Sequence, residues 1–193
     1  MDNRFDRFFE ILMENEGVNY TTPDYDGHHT KFGITQKFLN GLGYDIQVKK
    51  LNLKAAKLIY FNEFWEKLKC NKILSDKIAF SLCDYAVNVG HKRAVRTLQR
   101  SANSISSHFY LKDDGIIGKN TLNALNTIVE PYNLSITYAR DKIKQYTYLN
   151  TKRYESKLET LENGIITINE FEQYVRKWQN IHDGWVNRSI KMI

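Results

Sequence analysis

Proline is scarce in this chain of 193 residues, which has two, and glycine is held to ten. With so few helix breakers and an abundance of Lys, Leu, Asn and Ile, the expectation is a mainly helical fold. Cysteine is equally scarce. Cys70 and Cys83 are the only two, they form no C-x-x-C, and no Cys/His ligand spacing surrounds them, which argues against a structural zinc site. Cys83 sits in the apolar stretch Ile78–Val89 and reads as a small core residue. Spacing alone does not decide whether the two cysteines pair. No run approaches the roughly 20 apolar residues needed to span a bilayer. Met1-Asp2-Asn3-Arg4 has no basic segment leading into an apolar one, so synthesis in the cytoplasm without a signal peptide is expected. There is no internal repeat and no low-complexity tract.

What is present is a globular composition, 42% hydrophobic, with a formal net charge of +6. That balance suits an anionic partner, whether nucleic acid, membrane surface or wall polymer, or else a plain solvated basic surface. No recognised nucleic-acid motif supports the first of these. The length fits one domain or one domain with an added lobe. The reading divides the chain into a region 1–74 and a helical region 75–193, packed as one unit and acting as a monomer.

Phe5, Phe8, Phe9, Leu12 and Met13 recur at helical spacing, and Gly17 is a natural helix terminator, so a helix is expected to end near Glu16. From Val18 to Phe32 the periodicity breaks. Pro23, Asp24, Asp26 and Gly27 are turn residues, and a small β element is expected near residues 18–33. Thr35, Asn52 and Ser75 are placed to cap later helices, with Leu53, Ala56, Tyr60 and Phe64 on one face of the second of these. Thr167 with Glu170 forms a capping box before the last helix.

A carboxylate at a helix C-terminus meets the negative end of the macrodipole, which disfavours its ionised form. Glu16 is therefore suited to donate a proton. Glycoside hydrolysis needs such an acid on one side of the scissile bond and a carboxylate, or a held water, on the other. Asp24, Asp26 and Thr30 are the candidates for that second role. Asp26 directly precedes Gly27, a common turn pair that engages the carboxylate with the backbone. Asp24 is thus the freer of the two. Asp24, Asp26, His28 and His29 form no complete calcium-loop pattern, and no metal or cofactor is implied. Tyr20 and Tyr25 are candidate sugar-stacking residues. Asp84 and Asn88 lie one turn apart in an otherwise apolar helix, where they either line a cleft or cap a neighbouring helix.

In order, Glu16-Gly17, then Gly27, Thr30 and Gly33-Ile34-Thr35 resemble the opening pattern of glycoside hydrolase family 108, lysozyme-like N-acetylmuramidases of bacteria and phages. Phe80 to Gly90 resembles that family's F-D-x-A-V-N-x-G segment, and Ala94 to Gln99 its A-x-x-x-L-Q. Asp114-Gly115-Ile116-Ile117-Gly118 with Thr121-Leu122 resembles its D-G-x-x-G-x-x-T-L, and Gly184-Trp185-Val186-Asn187-Arg188 its closing G-W-x-x-R. Val18 and His28 stand where the family usually has glycine. Tyr25, flanked by Asp24 and Asp26, stands where it has an acid. The resemblance implies a lysozyme-like fold and cleavage of the β-1,4 bond between N-acetylmuramic acid and N-acetylglucosamine. It also implies Glu16 as general acid, Asn88 toward the cleft, and a peptidoglycan-binding latter half. The implied partner is the peptidoglycan glycan strand, reached through a pore or secretion system. The alternatives are a lytic transglycosylase of the same fold and a non-catalytic wall-binding protein.

Overall fold

The computed structural model describes residues 3–16, 29–128 and 131–191; of these, the side chains of residues 15, 16, 178 and 191 are not described. It is mainly helical with one small antiparallel sheet, as expected. The chain divides into two compact units, Met1–Asp76 and Lys77–Ile193. Among the described residues, no helix is long and apolar enough to cross a membrane.

The first unit is built on aromatic burial. Helix α1 (Asn3–Glu16) turns Phe5, Phe8, Phe9 and Leu12 inward, all of them buried. They meet a π-helical segment, Phe61–Glu66, that continues helix α3 (Leu53–Tyr60). Trp65 from that segment is fully buried. Phe8 stacks on its indole at 5.5 Å between ring centroids, and Phe5 meets it edge-on at 5.6 Å. Offset and edge-to-face pairs of this kind add to the area term. The wider π turn shifts the register of the side chains that follow Tyr60. Two polar ties fix the near end of α1: Arg4 and Arg7 both donate to the carboxylate of Asp76, and Asp6 pairs with Lys57 at 2.9 Å.

Between α1 and α3 lie strands β1 (Thr30–Lys31) and β2 (Ile34–Thr35), then helix α2 (Gln36–Gly41) and a short 3-10 turn at Val48–Lys50. The capping expectations at Thr35 and Asn52 are met: Thr35 Oγ1 accepts from the Phe38 amide at 3.1 Å, and Asn52 Oδ1 from the Ala55 amide at 2.8 Å. The α3 stripe is inward at Ala56, Tyr60 and Phe64, but Leu53 is exposed. Leu53 is the first residue of its helix, and it has no preceding turn to pack beneath.

The second unit is organised around helix α4 (Asp76–Val89), whose residues Ile78 to Ala86 are all buried. Helices α5 (His91–Ile105), α6 (Lys119–Thr127), α7 (Pro131–Glu162) and α8 (Ile168–Lys191) follow. At 32 residues, α7 extends about 48 Å at 1.5 Å per residue. It forms an antiparallel pair with α8, as shown by the contacts Tyr146 with Trp185, Thr147 with His182, and Tyr154 with Val175. Thr167 and Glu170 form the expected reciprocal capping box at the start of α8.

A helix buried all round must satisfy its polar groups internally. On α4 these are Ser81 and Asp84, each 2% exposed. Asp84 takes a charge-assisted bond from Arg188 of α8, and Ser81 accepts from the ammonium of Lys142 at 2.7 Å. Lys142 has no exposed surface, and its ammonium lies over the rings of Tyr138 and Tyr85. Cys70 and Cys83 are buried, and neither is in a disulfide among the described residues.

The motifs of the second half acquire a structural meaning here. Gln99 is 1% exposed, and its amide nitrogen donates to Asp114, the Ile116 carbonyl and Thr121, while its oxygen accepts from the Gly115 amide. One buried amide thus knots the Ala94–Gln99 segment to the Asp114–Thr121 segment. Gly115 has a φ of 80°, and a Cβ there would stand 2.8 Å from the Lys92 carbonyl, so no side chain fits. Arg188 and Trp185 of the closing motif hold Asp84 and the Tyr146 ring, respectively.

Burial pushes the Lys142 ammonium down to about 8, with Arg188 working in the same direction and Asp84 against it. The unfolded lysine titrates near its ordinary value of about 10.4. Between those two values the unfolded chain binds more protons, so stability contributed through Lys142 rises with pH. Below pH 8 the full burden of the buried cation is present. A Lys142→Met variant should therefore match or exceed the wild type in melting temperature at pH 7, and that advantage should shrink by pH 9.5. Parallel curves of melting temperature against pH would refute the assignment.

Candidate active site

The described part of the site begins with the end of α1. Glu16 is the last residue of that helix, one turn past buried Leu12. The last turn of α1 contains no basic residue of its own to offset the helix's negative end. Asp24, Asp26, Tyr20 and Tyr25 lie outside the described residues. Thr30, half-buried, opens strand β1 on the far side of that segment.

Why Thr30 stands where it does follows from the hairpin. Thr30 pairs with Thr35 and Lys31 with Ile34, leaving a two-residue loop of Phe32 and Gly33. Both loop residues have positive φ, 54° at Phe32 and 73° at Gly33, which is the type I′ turn whose twist matches that of the strands. Glycine suits this conformation, but phenylalanine does so only at a cost of about 1–2 kcal/mol. Three contacts hold it there. The Phe32 side chain is buried, its carbonyl accepts from the buried Tyr60 hydroxyl at 2.9 Å, and the Lys31 ammonium lies over its ring. Thr35 then ends the sheet and caps α2 at the same time. The Gln36 side chain fastens the hairpin to the following loop: its nitrogen donates to the Ile46 carbonyl and its oxygen accepts from the Val48 amide at 2.7 Å. Lys31 adds a bond to the Lys49 carbonyl.

Thus the first unit contains both borders of the residue 17–28 segment, the Glu16 end of a helix and the Thr30 start of a pinned hairpin. Asn88 belongs to the second unit. It is half-buried, and its Nδ2 donates to the Asp84 carbonyl at 3.1 Å one turn back on α4. Among the described residues, no group of three or more His, Cys, Asp or Glu side chains is gathered so as to hold a metal ion.

With this geometry in hand, the comparison with known proteins is informative. Residues 9–90 match the family described as Glycosyl hydrolase 108. Over this stretch, somewhat under half of the chain, the sequence is similar to glycosyl hydrolase family 108, which supports a glycoside hydrolase. The family 108 stretch contains Glu16, Tyr20, Asp24, Tyr25, Asp26, Thr30 and Asn88, that is, all the residues the sequence marks as site candidates. Among solved structures, the fold resembles that of SagA from Brucella abortus, with a TM-score of 0.63 at 20% identity over 97% of this chain and 94% of that one. No curated protein matches the sequence.

Tyr60, expected only as a core residue of α3, and Gln36 both support the hairpin without belonging to it. Tyr60 sits in an aromatic stripe that reads as core, and nothing local marks its hydroxyl as the partner of a carbonyl 28 residues earlier. Gln36, at the first position of α2, carries no pattern beyond its place after a capping threonine.

If the Tyr60 hydroxyl is what holds Phe32 in its left-handed conformation, Tyr60→Phe should lower stability by about 1–3 kcal/mol, the cost of stranding a buried acceptor. It should also speed amide exchange at Gly33 and Ile34 more than at the α3 amides. Uniform exchange across the unit would assign the effect to general packing instead.

Proposed function

We propose that this chain is a family 108 glycoside hydrolase and acts as a peptidoglycan hydrolase of the muramidase type, cleaving the β-1,4 bond between N-acetylmuramic acid and N-acetylglucosamine. The observation that carries the reading is the family match over residues 9–90, which begins inside α1 and encloses the Glu-Gly helix end, the aspartate-bearing segment and the Thr30 hairpin together. In this reading Glu16 protonates the leaving oxygen as the glycosidic bond breaks. Asp24 acts at the anomeric carbon, or Thr30 holds the water that does. Tyr20 and Tyr25 stack on sugar rings, and Asn88 contributes to substrate binding. The net charge of +6 favours association with an anionic wall polymer. Delivery to the wall is by a pore or a secretion system.

Glu16→Gln should reduce clearing of a peptidoglycan suspension by about 10²–10⁴-fold, the usual contribution of a general acid, while wall binding and the melting temperature stay unchanged. A variant keeping more than about a tenth of the wild-type rate would be too active for a residue in that role. Asp24→Asn should slow the reaction with little change in stability, whereas Asp26→Asn should mainly lower the melting temperature, since a turn hydrogen bond is worth about 0.5–1.5 kcal/mol. The reverse pattern transfers the role to Asp26. Mass spectrometry of the products distinguishes hydrolysis from intramolecular closure, because an anhydro end on the muramic acid would identify a transglycosylase.

Expressed alone in bacterial cytoplasm, the chain should be tolerated, and fusion of an export signal should make it lytic. Rapid lysis without export would contradict the delivery proposal.

A further inference from the structure

We infer that the cationic concavity at the start of α5 is a subsite for the carboxylates of the peptide stems that branch from the wall glycan. This rests on the peptidoglycan hydrolase reading above and names a recognition element outside the candidate catalytic residues.

The concavity has a volume of about 660 Å³ and is lined by Lys92, Arg93, Arg96 and Arg100, with Thr97 and Gln145 as neutral polar neighbours. That volume falls within the roughly 300–1,000 Å³ of ordinary ligand sites. Arg93, Arg96 and Arg100 occupy one face of α5 at i, i+3 and i+7, a row about 10 Å long at 1.5 Å per residue. The row begins at the positive end of the helix, whose first turn contains no acidic residue. Cations there oppose the macrodipole instead of complementing it. The arrangement is unfavourable for folding alone and becomes favourable when an anion enters.

Compensation within the protein is partial. Asp113 pairs with Arg100 and lies 3.9 Å from Arg96. Asp114, its neighbour, is engaged by the Gln99 amide and the Ile116 amide. Among the described residues, the buried Nε of Arg96 has no hydrogen-bond partner. The concavity therefore offers more guanidinium donors than its own carboxylate can use.

The shape of the charge selects the class of ligand. Guanidinium groups pair with carboxylates through two parallel bonds, and a row of them suits a ligand that repeats its charge along an extended chain. Thr97 and Gln145 add groups able to bond peptide amides. A stem peptide has both carboxylates and amides. A pocket of this size admits a side branch of that kind.

The test is co-sedimentation of the full chain with insoluble peptidoglycan in the cold, on three preparations: intact wall polymer, glycan stripped of its stems by an amidase, and polymer freed of phosphodiester chains by hydrofluoric acid. Lys92→Glu with Arg93→Glu should raise the half-saturating concentration about tenfold or more, as loss of close charge pairs does. The wild type should show the same loss on stem-free glycan, but not on the phosphate-free polymer. Lys37→Glu with Lys54→Glu, an equal change of charge in the other unit, should bind like the wild type. If the pocket reversal does not fold, as judged by its melting curve, Lys92→Gln with Arg93→Gln is read in the same way. Binding that survives stem removal, that vanishes with the phosphodiester chains, that duplex DNA displaces at equal weight, or that the pocket variant retains would each overturn the proposal. Fragment release by the wild type is followed in parallel. Lysis with unchanged binding by the variant sinks the subsite alone, whereas stem-dependent binding without lysis sinks the hydrolase reading and leaves the subsite standing.

Discussion

The burial of Trp65 beneath the first helix is the contact on which the candidate active site rests. Phe5 and Phe8 are committed to that indole, so the azimuth of α1 about its axis is set by aromatic packing. The arrangement separates tasks within one helix. Its first three turns supply apolar area to the core, and its last turn contains no basic residue of its own.

The second unit uses a different device. Two cations and one carboxylate, Lys142, Arg188 and Asp84, lie within a set of packed tyrosines. Burying such a set is seldom a net gain over apolar residues of equal volume, and the costly way to break it is to remove Arg188, which would strand the buried Asp84 carboxylate, rather than to replace Lys142. The aromatic surroundings carry the consequence further: burial raises the Tyr85 hydroxyl to about 12 and the Tyr146 hydroxyl higher still. Both tyrosines therefore stay neutral, and Tyr85 does so beneath the lysine. Together with the Gln99 knot, this polar interior defines one packing among α4, α5, α7 and α8, where the weakly amphipathic α7 would tolerate several.

How much of this was legible beforehand depends on the range of the signal. Helix starts set by a side chain and an amide three residues on, as at Thr35, Asn52 and Thr167, are written in adjacent residues and were readable. The end of α1 at Glu16 was readable for the same reason. The expected β element was located near residues 18–33, and the observed strands run from Thr30 to Thr35; the earlier part of that stretch lies outside the described residues. What could not be read depends on partners distant in sequence. Lys142 sits between Tyr138 and Tyr146 at a spacing of four, a pattern equally consistent with an exposed lysine. Only its meeting with Ser81 and Asp84 explains its burial. The π turn after Tyr60 and the cationic row on α5 likewise depend on neighbours that sequence spacing does not reveal. On spacing alone, the Arg93–Arg100 cluster reads as a solvated face.

The two-residue loop at Phe32 and Gly33 has a further consequence for how this protein can vary. A type I′ hairpin tolerates no insertion without slipping its register, and a slip of one residue would turn Thr30 to the opposite face of the sheet. Thr35 is bound by the same arithmetic, since it pairs with Thr30 and begins the next helix. Changes of length in this part of the chain are thereby confined to the stretch before Thr30. A lineage that altered its substrate would do so by lengthening, shortening or re-lettering residues 17–28, against a border whose spacing is locked.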